Sequence, residues 1–248
     1  MRVAAIYDVH SNLPALEAVL HDIREARVDQ VVVGGDVVPG PMPSETMTRL
    51  LELKVPVHFI RGNGDREVLA YRAGTETDAV PEGFREVMRW VARELQPEHE
   101  RLLAGWPPTL ALEIEGLGRV LFCHATPRSD TEIFTRLTPE DRVLPAFEGI
   151  DVPVVVCGHT HMQFDRTIGS FRVVNAGSVG MPFGKTGADW LWLGPGIELR
   201  HTAYDLEKAA ERIRGTSYPQ ARDFAESNVL QSPSEKDTFE WLARSEMR

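Results

Sequence analysis

Five short groups of polar residues are spread along this chain, and most of them follow directly on an apolar run. They are Asp8-Val9-His10, Gly34-Gly35-Asp36, Gly62-Asn63-Gly64-Asp65, Cys123-His124 and Gly158-His159-Thr160-His161. Carboxylate and amide oxygens combined with imidazole nitrogens are the ligands that divalent metals take in proteins. Two such metals held side by side provide a well-known route for hydrolysing phosphoesters. The sequence therefore points first to metal-assisted hydrolysis of a phosphoester.

Each group alone also has an ordinary explanation. An Asp-x-His triplet is common where a helix is capped, Gly-Gly-Asp is common in turns, and Asn-Gly suits a tight turn with positive φ. The group Gly158-His159-Thr160-His161 is the most specific, because it sets two imidazoles one residue apart after an all-valine run. Five groups in this order favour one shared site over five unrelated turns.

Composition excludes some classes of protein. The chain has 248 residues, 42% of them hydrophobic and 26% charged, which is typical of a globular protein that can bury a sizeable core. Its formal net charge of −10 argues against stable nucleic-acid binding, which needs clustered Lys and Arg. No apolar run approaches the ~18 residues of a membrane span, and a strand begins almost at once, so we expect neither a leader nor a membrane anchor and a cytoplasmic location.

The two cysteines, Cys123 and Cys157, each end an apolar run. Buried strand residues of this kind are usually reduced core thiols. The alternative is a redox-sensitive pair beside the metal site.

The first third of the chain alternates between strands and helices. Strands are predicted at 3–7, 30–33 and 55–60, with a helix capped by Asn12 after the first and a helix capped by Ser44 after the second. This β-α-β-α-β order predicts a parallel sheet with helices packed on it. Ligands bind at the carboxyl ends of such strands, so the polar groups are expected to share one rim.

The rest of the chain has a different order of predicted helices and strands. Residues 66–104 read as helices, either a cap that walls the active site or a packing appendage. From residue 109 onward the pattern is mainly strands, with a hairpin turn at Gly169-Ser170, and the tail from about 205 to 243 is helical. Two sheets with apolar faces favour a sandwich.

Taken in order, the polar groups resemble those of the calcineurin-like metallophosphoesterase superfamily, especially its smaller bacterial and archaeal phosphodiesterase branch. The resemblance runs from residue 3 to about residue 205 and includes the turn Asn175-Ala176-Gly177-Ser178-Val179-Gly180. It implies an α/β fold, a four-layer α/β/β/α sandwich of two mixed sheets. The whole chain, 1–248, would form one domain with a helical insertion at about 66–104.

The resemblance also implies a role for each polar residue. Asp8, His10 and His161 would hold the first metal. Asn63, His124 and His159 would hold the second, and Asp36 would bridge the two, which would lie roughly 3.5–4 Å apart. A hydroxide bridging the metals would attack phosphorus, so that Asp36, Asn63 and His124 act in catalysis through it. With these roles the chain would be a metal-dependent phosphodiesterase.

One position departs from the family pattern. Many members have a histidine directly after the motif asparagine, where it is thought to assist the leaving group, but this chain has Gly64. We therefore expect no protein imidazole at the leaving group and a preference for activated leaving groups. Asp65 is expected to orient His10 or His124 as a supporting carboxylate. Backbone amides around Gly62 and Gly64 are expected to donate to the developing charge.

Several alternatives stay open at this stage. The rival reactions are phosphomonoester hydrolysis and cleavage of a dinucleoside polyphosphate, and the rival of another class is an inactive metal-binding interaction scaffold. The expected cofactors are two divalent metals, Mn²⁺ first, with Fe, Zn, Ni, Co or Mg as alternatives. The expected partner is a small phosphoester or nucleotide substrate. Lys185 is a further residue that is expected to reach the substrate.

Overall fold

The computed structural model describes residues 1–244, 246 and 247. Strands and helices follow one another in this order: β1 (Val3–Ile6), α1 (Leu13–Glu25), β2 (Gln30–Val33), α2 (Pro43–Leu51), β3 (Val57–Phe59), α3 (Asn63–Arg72), α4 (Glu82–Glu94), α5 (Pro97–Ala104), β4 (Thr109–Ile114), β5 (Gly118–Cys123), α6 (Glu140–Val143), β6 (Val154–Cys157), β7 (Phe164–Ile168), β8 (Phe171–Asn175), β9 (Ala188–Leu193), β10 (Ile197–Thr202), α7 (Leu206–Arg214), α8 (Ala221–Phe224) and α9 (Glu235–Leu242). Within these residues no helix is both long enough and apolar enough to cross a membrane.

The strands form two five-stranded sheets, and both are mixed. The first has the order β10-β9-β1-β2-β3, and the second has the order β4-β5-β6-β8-β7. In the first sheet β1, β2 and β3 run parallel, and in the second β5, β6 and β8 do. The prediction of two mixed sheets is confirmed.

The residues of β1 and the residue after it alternate between two cores, as the period of a strand requires. Val3, Ala5 and Tyr7 belong to the core between the two sheets, whereas Ala4 and Ile6 belong to the core between the first sheet and its helices. A strand buried on both faces reads as a continuous apolar run, which is why this segment was recognisable in the sequence.

The outer face of the second sheet has a smaller cover. Phe134, Val143 and Phe147, from the segment between β5 and β6, pack in one cluster with Val155 and Ile168 of the sheet. Helices on one side and this short cover on the other complete the predicted four-layer α/β/β/α arrangement.

The predicted helical insertion forms α3, α4 and α5. Its inward-facing residues are buried as the helical spacing predicts, and they join the same core as α1 and α2: Val87, Trp90, Val91 and Leu95. The segment therefore packs as part of the helical layer on the first sheet. A role in shaping the substrate site stays a prediction.

The start of α1 was predicted correctly and the cap of α2 was not. The Asn12 side chain accepts a hydrogen bond from the amide of Ala15, which caps α1. The helix α2 begins at Pro43, whose fixed φ suits a first helical position, while the Ser44 hydroxyl donates to the carbonyl of Glu94.

Candidate metal centre

The seven residues proposed as metal ligands lie at one rim of the molecule. Five loops supply them, and each loop follows the carboxyl end of a strand: β1, β2, β3, β5 and β6. Parallel strands end at the same edge of a sheet, and the two sheets face each other, so residues far apart in sequence become neighbours.

The first group consists of Asp8, His10 and His161. The Nε2 atoms of the two histidines are 3.1 Å apart, and Oδ1 of Asp8 is 3.3 Å from Nε2 of His161 and 3.9 Å from Nε2 of His10. Asp8 Oδ1 is buried and has no hydrogen-bond partner among the described residues. Burying a carboxylate oxygen without a hydrogen-bond partner costs free energy, and a cation bound by this oxygen and the two imidazole nitrogens would offset that cost. The three atoms lie within 4.8 Å of one another, as ligands of one ion do.

The second group contains Asn63, His124 and His159. The Asn63 Oδ1 lies 3.1 Å from Nε2 of His124, and the same amide position is 3.1 Å from Nδ1 of His159. In the protein alone, hydrogen bonding would favour the amide turned over, with its nitrogen towards these acceptors. A cation among the three favours the oxygen instead, and this choice fits the donor set of a metal site.

Asp36 lies between the two groups. Its Oδ1 is 3.6 Å from Nε2 of His124, and its Oδ2 is 3.9 Å from Nε2 of His10. This placement suits a carboxylate that bridges two cations. Asp8 also reaches both groups, because its Oδ1 is 3.8 Å from Nε2 of His124. The sequence had assigned Asp8 to the first metal alone.

Three of the four histidines are held by backbone carbonyls. Nδ1 of His10 lies 3.2 Å from the carbonyl oxygen of Pro39. Nδ1 of His124 lies 2.9 Å from the carbonyl oxygen of Gly34, and Nδ1 of His161 lies 2.9 Å from that of Met181. A ring that donates its Nδ1 proton in this way presents an unprotonated Nε2, which is the form that binds metals.

Backbone conformation sets these residues apart as well. Five of the seven have positive φ: Asp8 at 51°, His10 at 46°, Asp36 at 50°, His159 at 65° and His161 at 58°. Residues other than glycine rarely adopt this region, and each such residue costs on the order of 1–3 kcal/mol. Strain gathered at one rim is the pattern of a functional site.

Burial and neighbouring charges shift the pKa values of the group. Burial lowers the pKa of His159 to about 4, with the nearby His124 adding to the effect, and burial together with His161 lowers the pKa of His10. Burial alone would raise the pKa of Asp8, but His161 and His124 outweigh it and hold that pKa well below its usual range. The low pKa values of His10 and His159 favour the neutral imidazole that a cation needs, whereas for His124 burial is outweighed by Asp36 and Asp8, which raise its pKa.

Asp65 has a different role from the one expected. Its Oδ1 accepts hydrogen bonds from the amides of Val37 and Val38, at 2.9 and 3.1 Å, and its Oδ2 accepts one from the amide of Gly62 at 3.2 Å. It therefore joins the Asp36 loop to the Asn63 loop, and it forms no hydrogen bond to a histidine among the described residues. Burial and then the Asp36 charge raise its pKa to about 7, against the amides of Val38 and Gly62.

The expected amide donors are already engaged. The Gly62 amide donates to Asp65, and the Gly64 amide donates to Oδ1 of Asp36 at 2.7 Å. These two amides therefore hold the carboxylates of Asp65 and Asp36, and donation by other amides of the loop to the developing charge stays a prediction.

The other residues singled out in the sequence are not candidate metal ligands. Cys123 and Cys157 are free and buried, and burial raises the pKa of both thiols, so neither offers a thiolate. The Lys185 ammonium is 3.8 Å from Asp189. In the turn that begins at Asn175, the Ser178 hydroxyl donates to the backbone carbonyl of Asp8 at 2.7 Å.

Two residues near the centre were missed in the sequence. Arg61 and Asp130 both line a cavity that also reaches His124. Arg61 directly precedes the group Gly62-Asn63-Gly64-Asp65, and this position was the signal in the sequence that could have identified it. Asp130 follows its strand by seven residues and has no local motif, so nothing in the sequence marked it.

Comparison with known proteins agrees with this geometry. Residues 1–192 match the family described as the calcineurin-like phosphoesterase superfamily domain. An uncharacterised protein of Methanocaldococcus jannaschii is 29% identical over 239 residues, which cover 88% of this chain and 94% of the relative.

Two solved structures are also similar. The crystal structure of a metallophosphoesterase from Sphaerobacter thermophilus is 26% identical, with a TM-score of 0.71, over 92% of this chain and 99% of that one. A hypothetical protein from Pyrococcus horikoshii is 20% identical, with a TM-score of 0.78, over 90% of this chain and 97% of that one, and it shares the fold.

Proposed function

The chain belongs to the calcineurin-like phosphoesterase superfamily, and from that premise we propose that it hydrolyses a phosphodiester at a centre of two divalent metals. The observation that carries the proposal is Asp8 Oδ1, which is buried, unpartnered within the described residues and surrounded by imidazole nitrogens. A cation among these groups would give this oxygen the direct partner that the described residues do not provide.

The residues divide into two ligand groups joined by Asp36. His10 and His161 would hold one metal with Asp8, and Asn63, His124 and His159 would hold the other. The bound metals would supply Lewis-acid stabilisation of the phosphate charge and would acidify a water molecule for attack. Mn²⁺ is the metal we expect first, and a donor set of nitrogen and oxygen without thiolate also fits Fe, Zn, Ni or Co.

The chain contributes orientation as well as ligands. Carbonyls of Gly34, Pro39 and Met181 fix three imidazole rings, and Asp65 fixes two ligand loops against each other. A centre held in this way needs little reorganisation when a substrate arrives. The leaving oxygen would take its proton from solvent, because Gly64 offers no side chain to protonate it.

The substrate class follows from the acidic surface and the site together. The net charge of −10 disfavours a nucleic-acid polymer, so a small phosphoester or nucleotide is the expected substrate. A non-catalytic scaffold is the rival from another class. The seven candidate positions all retain competent ligand types, which favours catalysis over that rival.

The test is hydrolysis of bis-p-nitrophenyl phosphate beside p-nitrophenyl phosphate after chelation and restoration of Mn²⁺. We expect metal-dependent cleavage of the diester, lost in Asp36→Asn. Preference for the monoester would change the reaction class while keeping the site. Absence of turnover together with absence of bound metal would overturn the proposal in favour of the scaffold.

A further inference from the structure

A cavity of about 310 Å³ opens beside His124, outside the set of candidate ligands. We call it the Arg61 cavity. Besides His124, its walls include Arg61, Thr109, Thr126, Arg128 and Asp130. Because one wall is a candidate metal ligand, a phosphoester bound at the metals would have part of its structure in or at the mouth of this cavity.

The charged residues of the wall are mostly neutralised. Asp130 is paired with Arg66 through two contacts of 2.8 and 3.1 Å. Arg128 is paired with Glu132 through contacts of 2.8 and 2.5 Å. Within the described residues, Arg61 forms no ion pair and its side chain forms no hydrogen bond, so it is the cation of the wall that lacks a counter-charge.

The position of Arg61 is fixed by its backbone. Its amide donates a hydrogen bond to the carbonyl of Pro107 at 2.9 Å, which ties the end of β3 to the segment before β4. It lies two residues before Asn63, so its location is coupled to the second ligand group. An uncompensated guanidinium beside a phosphoester site is suited to bind a second anionic oxygen group.

We propose that the Arg61 cavity binds an anionic group, a phosphate or a carboxylate, carried on the leaving side of the substrate. The inference rests on the proposed function and narrows its substrate to phosphoesters with a second negative charge. The cavity is at the small end of the range for ligand pockets, about 300–1,000 Å³, and therefore suits one compact group better than a polymer.

The test uses two matched methyl phosphodiesters, whose leaving groups are 4-nitrophenolate and 3-carboxy-4-nitrophenolate. In the metal-loaded wild type, kcat/KM should be higher for the carboxylated ester. In Arg61→Gln that ratio should fall on the order of tenfold, mainly through KM, because a charge-assisted hydrogen bond is lost. Arg61→Lys should restore part of the ratio.

The matched control is Arg119→Gln. Arg119 is exposed on β5, near the start of the strand, so its substitution removes the same charge far from the rim. It should leave the ratio unchanged. An equal fall in both variants would mean a general charge effect and would overturn the proposal, as would an unchanged ratio in Arg61→Gln.

A binding measurement separates this proposal from the proposed function. Calorimetry would compare the free product 5-hydroxy-2-nitrobenzoate with 4-nitrophenol, using wild type, Arg61→Gln and Arg119→Gln. Selective binding of the carboxylate that only Arg61→Gln loses supports the cavity even if no phosphoester is cleaved. Lack of turnover together with lack of bound metal would overturn the proposed function. Turnover without any Arg61-dependent preference would overturn the cavity and leave the function standing.

Discussion

The backbone amide of Gly64 donates a 2.7 Å hydrogen bond to Oδ1 of Asp36, the carboxylate between the two ligand groups. A Cβ added at position 64 would lie 2.7 Å from Cγ of Pro39 and 3.0 Å from Asp36 Oδ1. The position that carries a histidine in many relatives is therefore closely surrounded here. Gly64 therefore belongs to a loop that packs closely against Asp36.

Gly64→Ala should weaken metal binding because the new methyl group displaces Pro39 or Asp36. We expect metal affinity to fall roughly tenfold or more, about 1.4 kcal/mol, measured by competition with a chelating dye. Gly83→Ala is the matched control, since a Cβ there meets nothing within 4 Å in α4. It should leave metal affinity unchanged and stabilise the fold by about 0.5–1 kcal/mol. Equal metal affinities in the two variants would contradict this view of the loop.

The absence of a side chain at Gly64 has a kinetic consequence. Without an imidazole to protonate the leaving oxygen, the rate should depend steeply on leaving-group pKa. We expect methyl 4-nitrophenyl phosphate to react roughly a hundredfold or more faster than methyl phenyl phosphate, the lower range of what a positioned acid contributes. A flat dependence across substituted phenyl esters would show that another group delivers the proton.

Asp65→Ala should destabilise the metal-free protein strongly. The substitution leaves the buried amides of Val37, Val38 and Gly62 without an acceptor, at a cost on the order of 3 kcal/mol or more. Asp65→Asn keeps one oxygen and should cost less. Urea unfolding with chelator present measures both, and similar losses in the two variants would argue against the role of these hydrogen bonds.

His99 in α5 should make stability depend on pH. It is 5% exposed, its Nδ1 has no partner among the described residues, and burial lowers its pKa while Glu98 opposes the shift. An unfolded histidine takes up a proton near pH ~6.5, whereas the folded one does so only at lower pH. The contribution of neutral His99 to the free energy of unfolding is therefore fully present above pH ~6.5 and is lost as the pH falls below ~6.5.

His99→Gln should accordingly reduce the fall in unfolding free energy between pH 7.5 and 5.5 by up to about 1 kcal/mol. Urea titrations of chelator-treated protein measure it. His21→Gln, at an exposed position of α1, is the control and should keep the wild-type profile. A His99→Gln profile identical to wild type would refute the expectation.

The sequence was most informative where a strand ends in a ligand. Strands buried on both faces, such as β1 and β6, are continuous apolar runs, and the polar residue after each run marks the rim. This made the sheets and the cap of α1 accessible from residue order and from the family resemblance, and it marked the candidate ligands that the fold brings to one rim.

Features that depend on tertiary contacts were not accessible. Asp65 could have faced a histidine or the backbone, and only the folded loops decide that it takes three amides. The same holds for Ser44, which bonds to Glu94 across two helices, and for Asp130, which reaches the centre from a loop without a motif.

The central claim is a centre of two metals, and the most direct measurement is the metal content of the reconstituted protein by native mass spectrometry. We expect two divalent ions per chain in the wild type and loss of one ion when Asn63 and His159 are both replaced by alanine. Replacing Asp36 with asparagine should weaken both. A wild-type chain that binds one ion or none under saturating Mn²⁺ would contradict the dinuclear centre.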